Sequence, residues 1–205
     1  MAKRWIVLSL MAVVLTAGGM MLTGTAGVAQ MTEQTSEQTT GQSTETAGTT
    51  YALLNHELRR LHSSETVNIQ ALAADAPAVL LVNTASHCGF TGQFEGLEAL
   101  HQQYAARGLK GIGFSSNSFN QEADEAKAAE TCFVNFGVTF DMMATVPVRG
   151  ADAHPIFAEL ARQTRAPRWN FNKYLVTPDG TVAEVYGALT GPDSGRLRRA
   201  IERLL

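Results

Sequence analysis

Apolar residues in the central part of the chain follow the periods of a strand, a helix and a second strand. Residues 78–85, which follow Pro77, form a short continuous apolar run, as in strands that are buried on both faces. Residues 94–107 instead carry apolar side chains three or four positions apart, which predicts one face of a helix that ends at Gly108. Residues 108–116 then predict a second strand. A strand, a helix and a strand in this order form a right-handed parallel unit.

The remaining pattern extends this unit to a complete α/β domain. Residues 122–136 and 154–163 predict two further helices. Two β-rich runs around Pro178-Asp179-Gly180 predict a hairpin, and the segment from Leu53 to Ile69 is compatible with a smaller hairpin in front. The chain ends in a helical pattern whose apolar stripe consists of Leu197, Ile201 and Leu204. This order of elements is that of a thioredoxin-like fold, with a central mixed sheet flanked by helices.

Residues 1–29 have the pattern of an export signal. Lys3 and Arg4 give a positive start, and the stretch from Trp5 to Leu22 is apolar and uncharged. Gly27-Val28-Ala29 supplies the small residues that a signal peptidase requires. The apolar stretch is close to the lower length limit for crossing a bilayer, so an uncleaved membrane anchor is the alternative. Both interpretations place the domain outside the cytoplasm, in a periplasmic or other extracytoplasmic compartment.

Residues 30–50 contain almost no apolar side chains and cannot bury enough surface to offset their chain entropy. We therefore predict a disordered, low-complexity linker, which either tethers the domain or has no role of its own. The folded domain then spans residues 51–205, which is long enough for a core of its own. The formal net charge of the chain is −3, and no basic footprint indicates binding to nucleic acid.

The chain contains two cysteines, too few for a disulfide scaffold and without the spacing of a zinc site. Cys88 follows the first predicted strand, at the turn into a helix. Sites in α/β sheets lie at the carboxyl ends of strands, and the N–H groups of a helix start favour a thiolate. Gly89 would let a substrate oxygen approach the backbone closely, and Gly-Phe-Thr after the cysteine excludes a CxxC dithiol. Cys88 is therefore a candidate nucleophile, with a buried core cysteine as the alternative.

Three ordered segments resemble glutathione peroxidases. NTASHCGFT, residues 83–91, matches the family pattern N-x-A-S-x-C-G-x-T around the catalytic residue. GFSSNSFNQEA, residues 113–123, resembles the family loop with Asn, Phe and a Gln-Glu pair, and RWNFNKYLVTPDG, residues 168–180, resembles the Trp-Asn-Phe motif. The resemblance covers essentially Leu53 to Leu205 and implies a thiol peroxidase with a thioredoxin-like fold.

The resemblance also implies a tetrad around the peroxide, which consists of Cys88, Gln121, Trp169 and Asn170. The last three side chains offer neutral N–H donors, which stabilise a thiolate and a departing hydroxide. No metal and no bound cofactor are implied.

Two details depart from the family pattern. The loop before Gln121 is one residue shorter than usual, which makes Asn117 an alternative donor. His87 stands next to the catalytic cysteine, where the family often has lysine. A protonated His87 would favour the thiolate, and an exposed bystander is the alternative interpretation.

Cys132 lies 44 residues after Cys88, inside the predicted helix 122–136. Thioredoxin-dependent, non-selenium members of the family have a resolving cysteine at the matching place. The resemblance therefore implies that Cys88 becomes a sulfenic acid, that Cys132 condenses with it, and that a thioredoxin-like protein reopens the disulfide. Glutathione is the alternative donor, and a core cysteine is the alternative interpretation of Cys132.

The expected substrates are hydrogen peroxide and organic hydroperoxides, including those of lipids. The chain lacks the insertion before VPVRG that tetrameric family members use, so we expect a monomer. Two other functions stay open at this point: a peroxide sensor that relays its oxidation to a partner protein, and a non-catalytic binding module. The intact set of Cys88, Trp169 and Asn170 argues against the second.

Overall fold

The structure, a computed structural model, describes residues 53–205. The predicted signal or anchor (1–29) and the predicted linker (30–50) lie outside the described residues. The strands are β1 (Glu57–Arg59), β2 (Thr66–Asn68), β3 (Ala78–Thr84), β4 (Leu109–Ser115), β5 (Asp141–Met143), β6 (Lys173–Val176) and β7 (Val182–Tyr186). The α-helices are α1 (Ile69–Leu72), α2 (Gln93–Tyr104), α3 (Glu125–Ala129), α4 (Pro155–Gln163) and α5 (Gly195–Glu202).

The main sheet has five strands in the order β5-β4-β3-β6-β7. Strand β3 is central, and it pairs parallel to β4 and antiparallel to β6. In this register Leu81 lies between Ile112 and Tyr174. The other two pairs follow the same division, since β5 is parallel to β4 and β7 is antiparallel to β6. The sheet is therefore mixed, as predicted, and β1 and β2 form the predicted small hairpin.

The apolar run of β3 reflects its central position. All seven of its residues are buried, and successive side chains point to opposite faces of the sheet. Leu80 and Val82 belong to an apolar cluster with residues of α2 and α5, whereas Val79 and Leu81 pack with residues of α4. Both cysteines belong to the first of these groups, which we call the cysteine-side cluster. The sheet thus places both thiols on one side of the domain.

The helical predictions hold at their centres and shift at their ends. The predicted helix 94–107 is α2 followed by a 3₁₀ turn, and it ends at Gly108 with a φ of 109°. A side chain at Gly108 would be strained there because this φ is left-handed. Leu197 and Ile201 are buried on α5 as predicted, while Leu204 lies just beyond its end. Within residues 53–205, no helix is long and apolar enough to span a bilayer.

Two elements differ from the prediction. The segment 122–136 forms a helix only from Glu125, and after α3 it continues as a π-helical turn over Glu130–Asn135. Asp124 caps α3 by accepting the N–H of Lys127 at 2.7 Å, so the chain before it stays non-helical. Strand β5 and helix α1 have three and four residues and were not predicted. Such short elements show too few periods to be recognised in the sequence.

Candidate active site

Cys88 lies in a series of turns between β3, which ends at Thr84, and α2, which begins at Gln93. The residue is buried, with 4% of its surface exposed. The N–H of Phe90 lies 3.5 Å from the Cys88 Sγ, and the N–H of Thr91 donates to the Cys88 carbonyl at 3.1 Å. The prediction that Cys88 lies at a helix start is wrong, because α2 begins five residues after Cys88. The N–H group at the sulfur belongs to a tight turn instead.

Open space lies beside Gly89, which directly follows Cys88. A Cβ at Gly89 would have no heavy atom within 4 Å apart from its chain neighbours, and both Gly89 and His87 are exposed. A substrate oxygen can therefore approach the backbone beside the cysteine. The exposed position of His87 agrees with the bystander interpretation.

The loop after β4 reaches the cysteine turn through its backbone. The carbonyl of Gln121 accepts the N–H of His87 at 2.9 Å. Asn120 adopts a left-handed conformation with a φ of 54°, which asparagine tolerates and which turns the short loop back. Asn117 is exposed, and its Oδ1 accepts the N–H of Glu122 at 3.1 Å. The structure thus brings Gln121 to the cysteine turn, while Asn117 closes the loop.

The polar members of the predicted tetrad meet at a hydrogen bond. The Asn170 Nδ2 donates to the Gln121 Oε1 at 3.0 Å. Asn170 is fully buried, and its Oδ1 has no hydrogen-bond partner within residues 53–205. Trp169 is 39% exposed, and its ring lies 5.3 Å from that of Phe119. Among the hydrogen bonds of this part of the chain, the donor to the Cys88 Sγ is Phe90 rather than one of these side chains.

Asn83, near the end of β3, holds the segment that carries Trp169 and Asn170. Its Nδ2 donates to the Trp169 carbonyl at 3.1 Å, and its Oδ1 accepts the N–H of Asn172 at 3.2 Å. Between them, Phe171 is buried in a left-handed conformation with a φ of 60°, which a bulky residue rarely adopts. Contacts on both sides keep this strained turn in place and thereby orient Asn170.

Glu122 connects the cysteine turn to the sheet and was not singled out in the sequence. Its carboxylate accepts the N–H and the hydroxyl of Ser86, the hydroxyl of Ser115 at 3.1 Å and the N–H of Ala123 at 3.2 Å. The residue is 7% exposed. A buried carboxylate needs such donors, because an unpaired buried charge is strongly unfavourable. The serines that follow β3 and end β4 were the available signal.

Cys132 lies in the π-helical turn and is fully buried. Its Sγ donates to the Ala129 carbonyl at 3.7 Å. Burial, with a smaller contribution from the negative charge of Glu122, raises the pKa of the Cys132 thiol to about 12. Both cysteines are free thiols in this structure. Cys132 is therefore held in its protonated form, which is a poor nucleophile.

Lys173 on β6 is a second buried group that the sequence did not reveal. Its Nζ donates to the Gln93 side chain and, at 2.8 Å, to the Thr190 carbonyl. Burial lowers the pKa of Lys173 to about 8. The lysine joins the first residue of α2 to the loop after β7, so it helps to fix the helix that follows the cysteine turn.

One family of known proteins matches the part of the chain that holds most of these groups. The glutathione peroxidase family model matches residues 54–161, which is more than half of the chain. The chain belongs to the glutathione peroxidase family. The match contains Cys88, Gln121 and Cys132, whereas Trp169 and Asn170 lie beyond its end. Membership of this family makes the chain a thiol peroxidase that acts on hydroperoxides.

Two relatives illustrate the similarity. A glutathione peroxidase-like peroxiredoxin of Chlamydomonas reinhardtii is 44% identical over 138 residues, which cover 64% of this chain and 84% of the relative. A hydroperoxy fatty acid reductase of Synechocystis sp. is 35% identical over 144 residues, which cover 64% of this chain and 84% of the relative.

Solved structures agree with the predicted thioredoxin-like fold. A thioredoxin family protein of Chlorobium tepidum aligns with a TM-score of 0.53, covering 73% of this chain and 92% of its own. The sequence identity is 13%, so this likeness concerns the fold alone.

Proposed function

We propose that this peroxidase reduces hydrogen peroxide and organic hydroperoxides with Cys88 as the nucleophile and Cys132 as the resolving thiol. The proposal rests on the open backbone and the polar groups next to Cys88. The next residue, Gly89, is open to the surroundings, and the cysteine turn is hydrogen-bonded to the Gln121–Asn170 pair through the His87 N–H. A cysteine with only a packing role has no need of these polar neighbours.

In the first step, the Cys88 thiolate attacks the terminal oxygen of the hydroperoxide. The O–O bond breaks, Cys88 becomes a sulfenic acid, and the departing oxygen takes up a proton and leaves as an alcohol or water. The amides of Gln121 and Asn170 and the indole of Trp169 supply neutral donors for the negative charge that develops on this oxygen. The Asn170 Oδ1, which has no partner among residues 53–205, is a buried acceptor that suits the O–H group of the incoming hydroperoxide.

In the second step, the Cys132 thiol condenses with the sulfenic acid, which forms a Cys88–Cys132 disulfide and releases water. A disulfide requires Cα atoms within about 7 Å of each other and an accessible attacking sulfur. Cys132 is buried and protonated, so the π-helical turn must open first. Two observations support opening here. A π-helical turn is a rare form of helix, and Phe133 and Val134 on it are 40% and 76% exposed.

A protein dithiol is the expected reductant. Thiol–disulfide exchange by a thioredoxin-like protein returns both cysteines to the thiol form without a separate glutathione site. The relative named as a peroxiredoxin is consistent with this choice. Glutathione is the competing donor and would react with the sulfenic acid before Cys132 does.

Fatty acid hydroperoxides belong to the proposed substrates because one relative carries the name hydroperoxy fatty acid reductase. We also propose that residues 1–29 direct export, so that the reductant is an exported thioredoxin-like protein, and that the enzyme works as a monomer. The sequence pattern of residues 1–29 supports export, and the missing insertion before VPVRG supports a monomer.

An NADPH-coupled assay tests the proposed reductant. Consumption of hydrogen peroxide is measured with thioredoxin and its reductase, and separately with glutathione and its reductase. We expect thioredoxin to support turnover at least about tenfold faster, because a preformed dithiol reduces an intramolecular disulfide in one encounter. Faster turnover with glutathione contradicts the proposal. If neither donor supports turnover and a mixed disulfide with one partner protein accumulates, the chain is a peroxide sensor instead.

A further inference from the structure

One face of helix α2 contacts the chain that leaves the π-helical turn. Phe94 and Glu98 are spaced four residues apart and therefore lie above one another on this face. The ring of Phe94 lies 5.7 Å from that of Phe136, and Glu98 is hydrogen-bonded to Thr139 further along the chain. The helix that follows the Cys88 turn thus holds the chain just after the second cysteine.

The contact between Glu98 and Thr139 uses both oxygens of the carboxylate. The Thr139 N–H donates to the Glu98 Oε2 at 2.8 Å, and the Thr139 hydroxyl donates to the Oε1 at 2.6 Å. The Gln102 side chain donates to both partners, at 3.1 Å to the Thr139 hydroxyl. Partial burial alone would raise the pKa of Glu98, but the hydrogen bonds from Gln102 and Thr139 lower this pKa overall. The carboxylate is therefore ionised at neutral pH, and hydrogen bonds to an ionised acceptor are stronger than those to a neutral one.

A second carboxylate fixes the chain on the other side of Cys132. Glu125, the first residue of α3, accepts a hydrogen bond from the Arg59 guanidinium of β1. Between these two contacts lie residues 126–138, which we call the Cys132 segment. Near its end Gly137 has a left-handed φ of 61°, which turns the chain back towards α2. The segment is thus fixed at both ends, and local opening is confined to the residues between them.

We propose that Glu98 is a positioning residue, whose bonds to Thr139 hold the Cys132 segment on α2 and so limit how often Cys132 becomes accessible. Thr139 is exposed, so water can replace the carboxylate and the contact can break and re-form while the domain stays folded. Cys132 is fully buried and cannot reach a partner sulfur until the segment opens. The inference rests on the proposed role of Cys132 as the resolving thiol, and it names a residue that sets the rate of disulfide formation.

Labelling of Cys132 measures how often the segment opens. The chain has two cysteines, so full-length Cys88→Ser leaves Cys132 as the single thiol, which dithiobis-nitrobenzoate labels when it is exposed. We expect Glu98→Gln in this background to raise the labelling rate about fivefold, because an amide has one acceptor oxygen for the two Thr139 donors. Low concentrations of urea should leave the rate unchanged, since local opening exposes little surface and global unfolding exposes much.

The matched control is Glu95→Gln, which makes the same change in charge one turn earlier on α2. Glu95 is exposed, and within residues 53–205 its side chain takes part in no hydrogen bond. This control should keep the labelling rate of the Cys88→Ser parent. An equal rise in both variants would mean a general weakening of α2 and would overturn the inference, as would an unchanged rate in Glu98→Gln.

Variants of Thr139 test the same contact from its other side. Thr139→Ser keeps the hydroxyl and should label like the parent, whereas Thr139→Val removes one donor and should label faster, by less than Glu98→Gln. In the double variant Glu98→Gln/Thr139→Val the two effects should not add, because both disturb one contact. Fully additive effects would show that the two residues act independently and would overturn the inference.

Hydrogen exchange of the wild-type enzyme requires no variant to fold. Thr139, Phe133 and Val134 are all exposed, yet the Thr139 amide should exchange more slowly than the other two, because Glu98 accepts its hydrogen. Exchange of Thr139 at the same rate or faster would overturn the inference.

The rate of disulfide formation links the contact to turnover. In the enzyme with both cysteines, Glu98→Gln should form the Cys88–Cys132 disulfide about fivefold faster after one equivalent of hydrogen peroxide, with Cys88 itself oxidised at close to the wild-type rate. An unchanged rate of disulfide formation would overturn the inference and leave the proposed function intact. Faster labelling of Cys132 in an enzyme that forms no disulfide would count against the proposed resolving role and leave the role of Glu98 in holding the segment intact.

Discussion

Cys88 and Cys132 lie in the same apolar cluster, yet the chain holds them in different ways. The turn of Cys88, next to the central strand, donates hydrogen bonds to the Gln121 carbonyl and to the Glu122 carboxylate. Cys132 lies in a π-helical turn, where its sulfur donates to the Ala129 carbonyl and its own carbonyl accepts the N–H of Val138, so these two partners come from its own segment and the chain just after it. The firmly held thiol suits a step that needs fixed geometry, and the loosely held one suits a step that needs movement.

Replacement of the firmly held thiol should have the largest effect. The variant Cys88→Ser is expected to reduce no peroxide above the uncatalysed background, because a serine hydroxyl is not ionised at neutral pH. Stopped-flow measurement of peroxide consumption checks this. Residual catalysis through Cys132 would show that the roles of the two thiols are wrongly assigned.

The variant Cys132→Ser separates the two steps. We expect one equivalent of peroxide to be reduced at about the wild-type rate, followed by loss of most thioredoxin-coupled turnover, because the sulfenic acid has no resolving thiol. The single-turnover burst and the steady state are measured on the same sample. Unchanged thioredoxin-coupled turnover would mean that Cys132 is only a core residue.

Loss of the buried amide should slow the first step alone. The variant Asn170→Ala removes a donor and leaves Gln121 without its partner, so we expect the second-order rate of Cys88 oxidation to fall by about a hundredfold. Asn170→Asp keeps the shape but places negative charge near the thiolate, and it should be at least as slow. An active Asn170→Asp enzyme would contradict the donor role.

The smallest expected change is a shift in the pH dependence of disulfide formation by Cys132 when one buried charge is removed. Glu122→Gln takes away a negative charge that raises the pKa of this thiol, so the thiolate forms at lower pH. The rate of disulfide formation, followed by single-turnover kinetics, should therefore rise at lower pH than in wild type, by less than about one pH unit. Glu130→Gln on the same turn is the control, since Glu130 is exposed and paired with Lys127. An equal shift in both variants would assign the effect to general charge.

The sequence predicted the regular parts of the fold and the residue types of the candidate site. The apolar run of β3 and the stripe of α2 are recognisable because each spans several periods. The resemblance named Cys88, Gln121, Trp169 and Asn170, and the structure joins Gln121 to Asn170 and to the cysteine turn. Their catalytic roles remain predictions.

The features that the sequence did not reveal depend on contacts between distant segments. Glu122 connects the cysteine turn to the sheet only because Ser86, just after β3, and Ser115, at the end of β4, lie at the same edge of the sheet. The π-helical turn is a local departure from a helix that the alanine-rich pattern of 122–136 does not distinguish from an ordinary one. Lys173 lies in an apolar strand pattern, and its partners come from α2 and the loop after β7.

The most direct test of this account is a peptide map of the wild-type enzyme after one equivalent of hydroperoxide. We expect a peptide pair linked through a Cys88–Cys132 disulfide, which mass spectrometry detects and a thioredoxin system removes. A map in which Cys88 is oxidised beyond the sulfenic acid or joined to glutathione, while Cys132 remains a free thiol, would contradict it.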